Sequence, residues 1–176
     1  WLMLGSGNNA GWLDLSDHLV HFTKDGEKNG YNTIMKILWE RKLRRGDEPF
    51  GIVRRVPELA ESQRSVCFSE VPLGFLERIA LRRESNYGIV FSKRFLLERG
   101  GAPLWYLEHG RVAQEAMTAL VKMHRRSGID QDDPLWSLTP LIDFPSGPTS
   151  PYQYDFLWER EWRTPVDVTT DIRFLS

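Results

Sequence analysis

DFLWEREWRT, residues 155–164, decides the fold prediction because it alternates large apolar and charged side chains. Successive side chains of a β-strand point to opposite faces of a sheet, so this alternation predicts a strand. One face would carry Phe156, Trp158, Arg160 and Trp162, and the other Leu157, Glu159, Glu161 and Arg163. We therefore predict a closing strand that presents a charged ladder of the form E-x-E-x-R.

The charged ladder has a functional and a structural interpretation. Two crowded carboxylates beside an arginine suit acid–base or electrostatic catalysis. The same charges are also ordinary on a solvated strand face, where an exposed ion pair contributes little to stability. A helix would instead pair Glu159 with Arg163, but Pro165 and the aromatic density favour a strand. The periodicity leaves the catalytic and the solvated-face interpretations open.

The rest of the chain alternates short strand and helix patterns. Strands are predicted over residues 19–23, 66–69, 87–93 and 102–109, and two closing strands over 154–165 and 166–175. Helices are predicted over residues 31–44, 72–83, 94–101 and 111–126, and a loop-rich connection over about 127–151. The pattern predicts one α+β domain over residues 1–176, with a mixed, mainly antiparallel sheet and flanking helices. We expect a helical crossover after 66–69 and a tight turn at Thr164 and Pro165 that pairs the last two strands.

Composition excludes several classes of protein. Lys+Arg 23 against Asp+Glu 24 gives a net charge of -1, so no whole-chain field attracts nucleic acid or an anionic membrane. The single cysteine, Cys67, excludes an internal disulfide and cannot by itself nucleate a zinc site, so we predict no metal centre. No apolar run approaches the ~20 residues that span a bilayer. We therefore expect a cytoplasmic protein without a membrane partner.

Few residues outside the ladder point to chemistry. His21 lies inside the first strand, where a satisfied, partly buried histidine is the ordinary expectation. Ser69 and Glu70 end the strand at 66–69, where either side chain can cap the next helix. Cys67 has no activating neighbour in the sequence, so we do not expect a nucleophile there. A basic set forms either a local anion-binding patch or solvated surface: Arg44, Arg45, Arg54 and Arg55.

Several ordered blocks of sequence together resemble a known family. They are LVHFT at 19–23, SVCFSEVPLGFL at 65–76, YGIVFSK at 87–93 with GGAPLWYL at 100–107, and EREWRTP at 159–165. In this order they resemble the AbiGi-type abortive phage-resistance proteins of bacteria, over most of residues 19–165. The same layout more loosely resembles ADP-ribosyltransferase-like domains, including the DarT type that modifies DNA. The resemblance implies an ADP-ribosyltransferase-like fold with NAD as substrate.

The resemblance also implies roles for particular residues. Glu161 would act on the nicotinamide-side ribose, and Glu159 completes an E-x-E motif like that of arginine-modifying transferases. His21 would hold the adenine-side ribose, and Phe68 with Ser69 would border the nicotinamide. Phe68 stands where those enzymes often carry a tyrosine, and either Tyr87 or Tyr106 could supply a ring instead. The predicted catalytic residues are Glu161 and Glu159, and the predicted NAD-binding residues are His21, Thr23, Phe68, Ser69 and Arg163.

These implications lead to one expected function and two alternatives. We expect an NAD-dependent ADP-ribosyltransferase-like protein of anti-phage defence that transfers ADP-ribose to a macromolecule. The first alternative is a non-catalytic antitoxin that binds a co-encoded partner, and the second is a domain that senses NAD or a related nucleotide. The acceptor is open between DNA, RNA and protein; a nucleic-acid acceptor would require a basic path to the cleft.

Overall fold

The computed structural model of the chain describes residues 15–23, 29–82, 84–126, 128–145 and 157–169. The strands are β1 His18–Thr23, β2 Lys42–Leu43, β3 Val66–Glu70, β4 Tyr87–Ser92, β5 Ala102–Pro103, β6 Trp105–Tyr106, β7 Ile142–Asp143, β8 Glu161–Thr164 and β9 Val168–Thr169. The α-helices are α1 Gly30–Glu40, α2 Leu76–Arg82, α3 Lys93–Leu97, α4 Val112–Arg126 and α5 Pro134–Leu138. Five strands form an antiparallel sheet in the order β4-β1-β3-β8-β5. The α+β prediction is confirmed.

The central sheet has β3 in its middle, between β1 and β8. The register places Val20 opposite Ser69, and Ser69 opposite Glu161. It also places Phe68 opposite Trp162. Because opposed residues share a face and neighbours along a strand alternate, Val20, Ser69 and Glu161 lie on one face and Phe68 and Trp162 on the other.

Two apolar clusters stabilise the fold. The first packs on the face of the sheet that carries Phe68 and Trp162, and its buried members also include Leu19, Ile37, Leu43, Val66, Phe91, Leu96 and Val168. The second joins the segment after β2 to α4, α5 and β7, through Val53, Val56, Leu59, Leu107, Met117, Leu135, Trp136 and Ile142. Each fully buried side chain of this size contributes ~1.5–3 kcal/mol. The opposite face of the sheet carries Ser69, Glu161 and Arg163 beside the apolar Val20.

The closing strand is shorter than the sequence predicts. Residues Leu157–Glu159 form a 3-10 turn, and Arg160 has a left-handed backbone with φ of 43°. Because Arg160 interrupts the extended backbone, β8 begins at Glu161. Alternation therefore holds within β8, where Trp162 is buried in the first cluster and Arg163 shares the opposite face with Glu161. Residues 154–156, which include the predicted aromatic-face residue Phe156, lie outside the described residues.

One predicted strand pairing and one predicted strand are wrong. The closing strands do not pair with each other: β8 pairs with β3 and β5, and β9 pairs with β2. Both edges of β8 are occupied, so β9 adds to the free edge of β2 instead. Residues 102–109 do not form one strand either, because β5 joins the central sheet whereas β6 pairs in parallel with β7.

The helices differ from the predictions mainly at their ends. The helix predicted over 31–44 ends at Glu40, because Arg41 adopts a left-handed conformation and its N–H bonds the carbonyl of Ile37. The helix predicted over 72–83 starts as a 3-10 turn, Leu73–Phe75, before α2. The connection over 127–151 contains α5 and β7, and its residues 127 and 146–151 lie outside the described part of the chain. None of the helices in the described ranges is long and apolar enough to cross a bilayer.

Candidate functional site

A cavity of about 690 Å³ opens on the polar face of the central sheet. Small-molecule sites typically enclose ~300–1,000 Å³, so this cavity is large enough for a cofactor-sized ligand. We call it the first cavity. Its titratable and nucleophilic lining residues are His21, Arg44, Arg54, Ser65, Cys67, Ser69, Tyr106, Asp143, Glu159, Glu161 and Arg163.

Strand register brings the lining residues together. Ser69 and Glu161 are opposed between β3 and β8, and Tyr106 and Asp143 are opposed between β6 and β7. The two sets are connected because the backbone N–H of Leu104 donates to the carbonyl oxygen of Glu161 at 2.8 Å. Residues that are far apart in sequence therefore meet where the central sheet and the β6–β7 pair adjoin.

Arg163 is the buried cation of the first cavity, with only 3% of its surface exposed. Its Nε donates to Glu161 Oε1 at 2.8 Å, and its Nη2 donates to Asp143 Oδ2 at 3.1 Å. Its Nη1 donates to the carbonyl oxygen of Pro140 at 2.9 Å. Burial alone would lower the pKa of Arg163, but the charge and hydrogen bond of Glu161 outweigh burial and raise it above its ordinary value. The guanidinium therefore remains charged and holds both carboxylates in fixed positions.

Asp143 extends this network to a second arginine. Arg54 Nη1 donates to both carboxylate oxygens of Asp143, at 2.7 and 3.0 Å. The backbone N–H of Phe144 also donates to Asp143 Oδ1 at 3.0 Å. The result is an alternating chain of charges from Arg54 through Asp143 and Arg163 to Glu161. Because cations and anions alternate, this partly buried network is electrically balanced.

Tyr106 contributes a phenol to the wall of the first cavity. Burial, followed by the negative charges of Glu161 and Glu159, raises the pKa of Tyr106 far above its ordinary value. The phenol therefore keeps its proton at neutral pH and can donate a hydrogen bond. Of the two tyrosines considered from the sequence, Tyr106 lines the cavity, whereas the ring of Tyr87 lies edge-on to Tyr31 with centroids 6.0 Å apart.

His21 borders the first cavity at the point where β1 and β3 separate. The pairing of these strands ends at Val20 and Ser69. One residue further on, His21 Nδ1 lies 2.9 Å from the carbonyl oxygen of Cys67. A carbonyl oxygen only accepts, so Nδ1 carries the proton in this hydrogen bond. The imidazole ring also lies 5.7 Å from the ring of Phe68, centroid to centroid.

Glu159 reaches the first cavity although it lies outside β8. In a continuous strand, Glu159 and Glu161 would share a face by simple alternation. Here a 3-10 turn precedes the left-handed Arg160, and this reversal brings the chain into β8 with both carboxylates at the same cavity. The predicted pairing of the two glutamates at one site thus arises from a turn.

Two of the predicted NAD-binding residues lie elsewhere. Phe68 is buried in the first apolar cluster, where its ring lies edge-on to Phe91. Thr23 is buried, and its hydroxyl donates to the carbonyl oxygen of Gly30 at 3.1 Å, which joins β1 to α1. The remaining predicted site residues line the first cavity: His21, Ser69, Glu159, Glu161 and Arg163.

Glu70 makes contacts that stabilise the fold. Its carboxylate pairs with Lys93 Nζ at 2.7 Å and accepts from Trp162 Nε1 at 3.1 Å. These contacts lie on the apolar face of the sheet. The capping role expected from the sequence is therefore replaced by a long-range ion pair that fastens β3 to the start of α3.

The predicted basic set is divided between different surroundings. Arg44 and Arg54 line the first cavity, and Arg44 also bonds Glu40 at 3.1 Å. Arg45 pairs with Glu61 at 2.9 Å and, through its backbone N–H, with Asp167 at 2.8 Å. Arg55 lines a neighbouring cavity. The four residues thus do not form one continuous patch.

Sequence reasoning missed Asp143 and Ser65. Asp143 lies in a two-residue strand 20 positions before Arg163, and no motif or spacing connects the two. Ser65 also lines the first cavity, and its buried hydroxyl has no hydrogen-bond partner within the described ranges. A buried hydroxyl without a partner costs ~1–3 kcal/mol, so Ser65 is a place where a bound ligand would add stability.

Comparisons of the chain with models of protein families, with curated proteins and with solved structures found no match.

Proposed function

We propose that the chain is an NAD-dependent ADP-ribosyltransferase-like enzyme of bacterial anti-phage defence, with NAD bound in the first cavity. The observation that carries the proposal is that Glu159 and Glu161 reach the same cavity as the protonated phenol of Tyr106. The sequence resemblance supplies the reaction class and the ADP-ribosyltransferase-like fold, which are both part of the proposal.

In the proposed reaction, the bond between ribose C1′ and the nicotinamide nitrogen breaks. Nicotinamide leaves with the bonding electrons, and positive charge develops on the sugar. The Glu161 carboxylate, near this charge, stabilises the transition state more than the ground state. Arg163 holds that carboxylate at 2.8 Å, so little reorganisation is required when the charge appears.

The second half of the reaction adds the acceptor. A nucleophilic oxygen or nitrogen of the acceptor bonds to C1′, and its proton passes to Glu159 as general base. Glu159 suits this role because it precedes β8, on a turn rather than inside the sheet. The ring of Tyr106 provides the flat wall for nicotinamide that the resemblance implied for Phe68.

A second candidate function is nucleotide binding without turnover. The two carboxylate oxygens of Glu161 accept from Arg163 Nε and Nη2, at 2.8 and 3.3 Å. A carboxylate engaged in this way has less capacity to bond a ribose hydroxyl. A domain that senses NAD would use the same cavity and the same Tyr106 wall but would leave the nicotinamide bond intact.

The test uses chromatography to measure how fast the purified protein releases nicotinamide from NAD. The wild type should release nicotinamide, and Glu161→Gln should be slower by on the order of a hundredfold or more. Glu98→Gln is the matched control, because Glu98 is an exposed partner of Arg94 on α3. Tight NAD binding without release would support the sensor. If the protein neither binds NAD nor releases nicotinamide, and a co-encoded protein copurifies with it, the result would support the antitoxin and reject the enzyme.

A further inference from the structure

A second cavity of about 420 Å³ adjoins the first. Arg54 and Phe144 line both cavities. Its other polar walls come from Arg55, in the turn after Arg54, and from Arg125, in the last turn of α4. His109, which follows β6, completes the set. Three separate parts of the chain therefore direct basic side chains to one opening.

The charged side chains that line the second cavity are all cationic. No Asp or Glu occurs among its described lining residues. Asp143 balances Arg54 from the side of the first cavity. Within the part of the chain that the structure describes, neither Arg55 nor Arg125 makes a side-chain hydrogen bond or an ion pair. Two arginines thus remain to attract an anion, and guanidinium groups bind phosphate with paired, directional hydrogen bonds.

The second cavity also has a flat apolar side. The ring of His109 stacks on the ring of Phe144, with centroids 4.0 Å apart and planes inclined by 16°. Val53, Val56 and Val121 form the adjacent apolar wall. Aromatic faces of this kind stack on the flat rings of nucleobases. A ligand with a phosphate and an attached planar ring therefore matches the lining better than a simple inorganic anion does.

We propose that the second cavity binds a nucleotide phosphate, with Arg55 and Arg125 on the phosphate oxygens and the His109–Phe144 stack beside the base. The nucleotide is either free or part of a single strand, because both present the same phosphate and ring. The proposal is independent of NAD binding in the first cavity, since Arg55 and Arg125 line only the second of the two.

The test measures binding of ADP, inorganic phosphate and a twelve-residue oligothymidylate by calorimetry, at two salt concentrations. Arg55→Gln and Arg125→Gln should each weaken ADP binding by about tenfold or more, because each removes a charged hydrogen-bond donor. Arg126→Gln is the matched control: Arg126 is the next residue of α4, is exposed and does not line the cavity. It should change ADP binding by less than about twofold. Circular dichroism checks that all variants remain folded.

The arms of the experiment also distinguish the sources of the nucleotide. Oligothymidylate that binds tighter than ADP, with affinity that falls steeply with salt, indicates a strand. ADP that binds as tightly as the oligomer or tighter indicates a free nucleotide. Two results would overturn the proposal: no binding of any of the three probes at millimolar concentration, or equal weakening by Arg125→Gln and Arg126→Gln.

Discussion

Arg163 and Glu161 lie two residues apart on one face of β8, and the guanidinium of Arg163 bonds both carboxylate oxygens of Glu161. The same guanidinium bonds Asp143 of β7 and the carbonyl oxygen of Pro140. One side chain thus joins the central sheet to the segment that closes the first cavity. The pair is both a structural contact of β8 and the central part of the candidate site.

Replacement of Arg163 should destabilise the protein strongly. Arg163→Met leaves Glu161 and Asp143 without their shared cation, and breaking a buried ion pair in this way costs ~3–5 kcal/mol. Urea unfolding measures the loss. Arg94→Met is the control, because Arg94 and Glu98 form an exposed pair on α3, where an ion pair contributes ~0–1 kcal/mol. Equal losses in the two variants would contradict the structural role of Arg163.

Tyr106 should contribute to NAD binding through its ring. Tyr106→Leu removes a stacking surface of the kind that contributes ~0.5–1.5 kcal/mol, so the Kd for NAD should rise by about two- to tenfold. Tyr106→Phe keeps the ring, and its Kd should stay closer to that of the wild type. Equilibrium binding of NAD to the three proteins measures the difference. An unchanged Kd in Tyr106→Leu would remove Tyr106 from the proposed nicotinamide wall.

Tyr106 should also make stability depend on alkaline pH. In the unfolded chain its phenol loses its proton near the ordinary pKa of 10.0, whereas the raised pKa of the folded protein keeps the proton bound. The unfolded state then binds fewer protons, so stability falls as pH rises above about 10. Thermal melts between pH 8 and 11 should show a smaller loss for Tyr106→Phe than for the wild type. The same loss in both proteins would contradict the raised pKa.

Gly51 should be intolerant of a side chain. Its φ is 77°, and a Cβ there would lie 2.2 Å from the carbonyl oxygen of Thr139. Gly51→Ala would push the segment that holds the Pro140 carbonyl away from Arg163. Gly110→Ala is a matched control, because Gly110 has a φ of 67° with nothing within 4 Å, so it carries only the left-handed strain of ~1–2 kcal/mol. Gly51→Ala should lose ~1–3 kcal/mol more in urea unfolding; similar losses would show that the contact with Thr139 relaxes easily.

Local patterns predict three strands of the central sheet closely but not the ends of the other elements. β1, β3 and β4 were predicted closely, because their apolar and β-branched residues are bounded by clear breaks in the pattern. β8 was predicted too long, because Arg160 adopts a left-handed backbone that its residue type does not signal. The predicted pairing of the two closing strands is wrong because pairing depends on which edges remain free, which is a property of the whole sheet.

The candidate site also combines residues that the local sequence indicates with residues that only the whole fold brings together. Glu159, Glu161 and Arg163 were recognisable because they are neighbours in sequence. Asp143 was not, because only the β6–β7 pairing and the reach of Arg163 bring it to the cavity. Phe68 shows the opposite error: its residue type suits a nicotinamide wall, but alternation along β3 directs it to the core, beside Trp162.

The balanced network from Arg54 to Glu161 sets thermal stability against the function of the first cavity. Buried ion pairs can often be exchanged for well-packed apolar side chains with a gain in heat resistance. Here the exchange would fill the first cavity with hydrocarbon and remove the field that orients Glu161. Substitutions that raise thermal stability should therefore be made in the second apolar cluster, around Trp136 and Leu59. The charged residues of the first cavity should be left unchanged.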